Sequence, residues 1–121
     1  MNDDLLRTLE GRLRARESAL RELVQSHRDR LGEPASATGN TFIAGDEGAR
    51  ADADDERELA LLMHDRHELD EVLAALQRIR QGTYGMCSRC GEAIEVGRLR
   101  VVPEARLCLG CQRSVERHMA R

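Results

Sequence analysis

"GTYGMCSRCGEAIEVGRLRVVPEARLCLGCQ", residues 82–112, decides how the rest of the chain is read. It holds all four cysteines of the protein, as Cys87-x2-Cys90 and Cys108-x2-Cys111, with seventeen residues between the pairs. That is the spacing of a four-cysteine zinc site. Each C-x2-C turn presents two sulfurs to one cation, and two such turns complete a tetrahedron with Zn–S distances of about 2.3 Å. Four thiolates leave no open coordination position. The expectation is therefore one structural Zn2+ held by Cys87, Cys90, Cys108 and Cys111, not a metal that activates water. Gly91 and Gly110 supply the tight backbone that such knuckles need. Residues 98–103, "RLRVVP", read as a short strand between the knuckles. "CQRSVERHMAR" reads as a terminal helix that places the Cys111 thiolate at the favourable end of a helix dipole. Two disulfides, an iron-bound four-cysteine site and a thiol switch built on zinc use the same residues. The first needs an exported chain, and "MNDDLLRTLEGRLR" has no apolar leader segment.

Upstream of Gly82 the sequence is helical in pattern. In residues 3–31, Leu6, Leu9, Leu13, Leu20 and Leu23 fall on a 3-4 heptad spacing, with Arg16, His27 and Arg30 in the remaining seam positions. Asn2 or Asp3 can cap the start. From about Asp54 to Arg80 the period returns with Leu59, Leu62, Leu69, Leu73 and Leu76, and with Arg66 and Arg80 on the same seam. Gly82 is placed as a C-cap. Two helices with one leucine seam each need partners. Folding back on each other gives an antiparallel coiled-coil hairpin with arms of roughly 40 Å. An intermolecular coiled coil is the alternative. Between the arms, "GEPASATGNTFIAGDEGARAD", residues 32–52, is broken by glycines and a proline and reads as a loop. The expected fold class is mainly α. Residues 1–81 form the hairpin, with an acidic tip loop at about 32–53. Residues 82–121 form the four-cysteine finger and a terminal helix.

Composition narrows the function. Aromatic residues make up 2% and charged residues 34%, which favours exposed helices over a thick core. Net charge is −3, against a protein that coats nucleic acid. Residues 32–60 carry eight acids against two arginines, whereas residues 87–121 carry seven arginines against four glutamates. No run reaches transmembrane length, so a cytoplasmic protein is expected, without membrane contact. His27, His64 and His67 read as seam or surface residues, and His118 sits near a helix end. No nucleophile-base arrangement, phosphate-cradling glycine loop or calcium-loop pattern is present, so no catalysis is expected.

Residues 78–112, "RIRQGTYGMCSRCGEAIEVGRLRVVPEARLCLGCQ", resemble the signature of the DksA/TraR family of bacterial transcription regulators. The resemblance rests on the Gly-Thr-Tyr-Gly lead-in, both cysteine pairs, Gly91-Glu92 with Ile94, Arg98-Leu99 and Pro103. It implies a monomer that binds RNA polymerase rather than a DNA sequence. In the family a helical hairpin enters the polymerase secondary channel, its acidic tip approaches the active centre, and transcription initiation changes, often together with the alarmone ppGpp. The tip motif of the family is D-x-x-D-x-A. Counting back from Cys87 without gaps places Ala44, Glu47 and Ala49 on it; allowing two extra loop residues places Asp46, Ala49 and Ala51. The tip candidates are thus Asp46, Glu47, Ala49 and Ala51, with both aspartates absent in the first alignment and one absent in the second. Basic alarmone contacts of the family correspond to Glu71, Val102 and Gln112, none of them basic, so a weak alarmone response is expected. The competing readings are a zinc-stabilised protein–protein adaptor and a redox-responsive zinc protein.

Overall fold

A computed structural model of the chain describes residues 1–32 and 46–119, without the side chains of residues 46–52. Residues 33–45, the greater part of the expected loop, lie outside the described residues. So do the side chains of Asp46, Glu47, Ala49 and Ala51.

The protein is mainly helical. Helix α1 spans Asp3–Leu31. Asn2 caps it: its Oδ1 accepts from the amides of Asp4 at 2.7 Å and Leu5 at 3.2 Å, satisfying two donors that the first turn leaves open. Asp3 and Asp4 occupy the first turn, Arg28 and Arg30 the last, each favoured by the dipole. Helix α2 spans Asp46–Gln81. It starts at Asp46 rather than near Asp54, so residues 46–53 are helical and not loop. Acids suit a first turn, alanine is the best helix former, and the single Gly48 costs only about 1 kcal/mol. At the other end Gly82 adopts φ +80°. Thr83 N–H donates to the Arg78 carbonyl at 2.9 Å, and Gly82 N–H to that of Ile79 at 3.2 Å. This double bond pattern closes a helix through a left-handed residue, which glycine enters without steric cost.

The chain forms two compact units, Ser18–Leu69 and Met1–Glu17 with Asp70–Arg121. The first half of α1 and the last turns of α2 fall in the unit that includes the finger. In each unit α1 and α2 run antiparallel. In the finger-bearing unit Leu9, Leu13, Val72, Ala75 and Leu76 are buried. In the other, Leu20, Val24, His27 and Leu62 are buried. The leucine seam read from the sequence needs correction. Leu23 and Leu59 are 46% and 47% exposed, whereas Val24 and Val72 are buried. Arg16, Arg66 and Arg80 are exposed, and Leu6, Leu69 and Leu73 are half-buried. The observed α2 seam runs Glu58, Leu62, Asp65, Leu69, Val72, Leu76, a regular 4-3 alternation that admits two acids.

Those acids have a partner. The two ring nitrogens of His27 face the carboxylates of Glu58 and Asp65, Nε2 lying 2.9 Å from Asp65 Oδ2. Arg30 adds a 3.0 Å bond to Glu58. A neutral imidazole has one N–H, so only the imidazolium donates to both carboxylates. The bond to Glu58 accordingly raises the His27 pKa above its ordinary 6.5, against the opposing effect of burial.

Candidate metal centre

Beyond Gly82 the backbone makes two sulfur-bearing turns. In the first, Gly91 N–H donates to the Cys87 carbonyl at 2.9 Å, and Cys87 N–H to that of Glu92 at 2.7 Å. Gly91 has φ +80°, so a β-carbon there would be strained. The amides of Arg89 and Cys90 point at Cys87 Sγ from 3.4 and 3.5 Å. The second turn opens helix α4, Leu109–Met119, after the short helix α3, Val96–Val101. There Cys111 N–H points at Cys108 Sγ from 3.4 Å. Gly110 is an ordinary helical residue with open space at its β-carbon, so this knuckle, unlike the first, does not need glycine. The strand expected at 98–103 is helix α3 instead. Among the described residues the finger has a single isolated bridge, Met86 with Ala93. With no longer strand to pair with, the segment coils, and Leu99 is fully buried.

The structure brings all four predicted ligands together. The four Sγ atoms lie within 4.8 Å of one another, and Cys90 and Cys108 stand 3.8 Å apart. A regular tetrahedron with Zn–S bonds of about 2.3 Å has S···S edges of about 3.8 Å. The donor set is all sulfur, which selects zinc or iron over hard cations. Amide N–H groups prepare part of it for metal: the backbone bond from Cys90 holds the Cys87 thiol down, at about 6. Burial pushes the Cys111 thiol up to about 12, so its proton is released to solvent only as a cation binds the sulfur.

Around the sulfurs the finger is fixed by groups that spacing alone does not reveal. The Tyr84 hydroxyl donates to the Pro103 carbonyl at 2.7 Å in the interior. Burial pushes this phenol up to about 12. Arg98 Nε donates to the Leu107 carbonyl at 3.0 Å, one residue before the second pair. Arg78, on α2, reaches the carbonyls of Glu104 and Ala105. Glu95 accepts from the amide of Leu109, the first residue of α4, at 3.3 Å. Its own backbone amide, and then that bond, hold the Glu95 carboxyl below the ordinary range. Each tie links residues distant in sequence, and of the groups involved the sequence signature marks Tyr84, Arg98 and Pro103 beforehand.

Comparison with known proteins agrees with this geometry. Residues 82–117 match the prokaryotic dksA/traR C4-type zinc finger. An uncharacterised protein of Aquifex aeolicus is 49% identical over 49 residues, 40% of this chain and 34% of its own length. The chain thus spans about a third of the length of that relative. The RNA polymerase-binding transcription factor DksA of Caulobacter vibrioides is 32% identical over 119 residues, 97% of this chain and 80% of its own length. The solved structure of transcription factor DksA2 from Pseudomonas aeruginosa shares the fold, with a TM-score of 0.80 over 100% of this chain and 90% of that one, at 22% identity. The four thiolates hold one structural zinc.

Proposed function

This chain belongs to the DksA/TraR family, and on that premise we propose that it is a transcription regulator that binds RNA polymerase through the secondary channel and modulates initiation. The observation that carries the reading is the near full-length match to the Caulobacter vibrioides factor, whose name states polymerase binding. The zinc finger is structural in this account, and the role is regulatory rather than enzymatic. The hairpin of α1 and α2 is the delivery arm. The working end is the acidic stretch at the start of α2, with Asp46, Glu47, Ala49 and Ala51 as its acting residues. The chain works in the cytoplasm as a monomer and reads no DNA sequence. In keeping with the first point, among the described residues no helix is long and apolar enough to cross a membrane.

A weak alarmone response is part of the proposal. Glu71, Val102 and Gln112 offer no basic group. Glu71 also lines a cavity of about 160 Å³ with Asp70, Ala74, Arg78, Glu104 and Arg106, three acids against two arginines rather than a basic pocket. Transcription in vitro from a ribosomal promoter tests the reading. The parent chain changes promoter output, and the double substitution Asp46→Ala with Glu47→Ala abolishes that effect while zinc content and helicity stay the same. A double variant as active as the parent removes these residues from the mechanism. Adding ppGpp, with polymerase lacking its own alarmone site, leaves the effect nearly unchanged. A strong enhancement contradicts the reading of positions 71, 102 and 112.

A further inference from the structure

The geometry points to a second metal site, on α2 and separate from the cysteines, in which His64, Asp65 and Glu68 hold a borderline divalent cation such as Zn2+. Glu68 lies one helical turn from both of the others, i+4 from His64 and i+3 from Asp65, which places it beside each. One ligand atom from each, an imidazole nitrogen and two carboxylate oxygens, lies within 4.8 Å of the others. His64 Nε2 faces Glu68 Oε2 at 3.7 Å. That is too long for a hydrogen bond, which requires about 2.7–3.2 Å. It is close to the edge of about 3.4 Å between two ligands that each stand about 2.1 Å from one tetrahedral zinc. The two groups form an ion pair whose separation is also one that two ligands of a single cation can hold.

Asp65 adds orientation. Its Oδ2 is 2.9 Å from Nε2 of the buried His27, which fixes the carboxylate. Ligand carboxylates held by an outer hydrogen bond are the normal arrangement in metal sites. The Asp65 side chain is only 14% exposed, while His64, at 66%, stands open to incoming metal. Three protein donors leave a fourth position for water or for a donor from another molecule, unlike the closed four-sulfur site. The imidazole nitrogen favours zinc-like cations over Mg2+ and Ca2+, which prefer oxygen alone.

The test is metal stoichiometry on the full chain already carrying one zinc. Equilibrium dialysis and calorimetry against Zn2+ give a second, weaker equivalent, and the ring resonances of His64 shift as it binds. His64→Ala and Glu68→Gln each remove that second equivalent at concentrations that saturate the parent, and leave the first equivalent and helicity intact. Excess Mg2+ does not displace it. Saturation at one zinc overturns the proposal. So does a second equivalent that survives both substitutions, or one that Mg2+ displaces.

Discussion

At the scale of single residues the unusual feature is a histidine with a carboxylate on each ring nitrogen, inside a helix seam. His27 has its pKa raised above 6.5, chiefly by Glu58. It therefore contributes stability that is fully present below pH 6.5 and is lost as pH rises through the raised value. Glu58 is held below its ordinary 4.5 by the bond from His27, so its contribution is present above 4.5 and lost as pH falls through the lowered value. Between those limits His27 and Glu58 are both charged and paired. The thermal midpoint of the Ser18–Leu69 unit, followed by circular dichroism, should be highest from about pH 5 to 6.5. It should decline toward pH 9, and His27→Gln should flatten that alkaline limb. A wild-type midpoint that rises toward pH 9 would contradict the pairing. Tyr84 gives a second residue-level expectation. It is the only tyrosine in the chain, so absorbance reads it alone. Phenolate should be absent at pH 10.5 while the zinc-loaded fold persists, and should form near pH 10 once zinc is stripped. Tyr84→Phe leaves the Pro103 carbonyl without its donor and should cost about 1–3 kcal/mol in denaturant unfolding.

At the scale of elements, the sequence carried the helices, the ends set by Asn2 and Gly82, and the four ligands. These rest on local chemistry: a capping side chain, a positive φ, sulfur spacing. It did not carry the seam register. Leucine at both i+3 and i+4 leaves two stripes open, and choosing by leucine content selects Leu23 and Leu59 over Val24 and Glu58. The choice is made by partner chemistry across the helices, where His27 turns two acids into acceptable seam residues. The same holds for α3. Val101 and Val102 favour a strand by propensity, yet a strand needs a neighbour, and only the Met86–Ala93 bridge is present among the described residues. The start of α2 at Asp46 was hidden by Gly48, whose penalty is small against the alanines and acids around it. Truncation distinguishes the two registers. Leu20→Ala, at a fully packed position, should cost about 2–5 kcal/mol. Leu23→Ala should stay within about 0.5 kcal/mol. Equal costs in chemical denaturation would mean that the seam has been misassigned.

At the scale of the whole molecule, α1 and α2 each contribute to both compact units, and the four cysteines all lie in one of them. The core of the finger is small: besides Cys87, its buried apolar residues include Tyr84, Ile94, Leu99, Ala105 and Leu107. Burying a side chain of this kind is worth only about 1.5–3 kcal/mol, so metal binding must supply much of the folding energy there. Cys90→Ser should therefore unfold residues 82–119, while the Ser18–Leu69 unit, with its own packed seam, keeps part of its helicity. The biological claim is that this zinc-built chain is recognised by RNA polymerase. Binding of the labelled full chain to RNA polymerase core enzyme, read by fluorescence anisotropy, measures that claim directly. The account predicts saturable one-to-one binding by the zinc-loaded parent, retained by Asp46→Ala with Glu47→Ala and lost by Cys90→Ser. A parent chain that is folded, carries zinc and does not bind the core enzyme would contradict it.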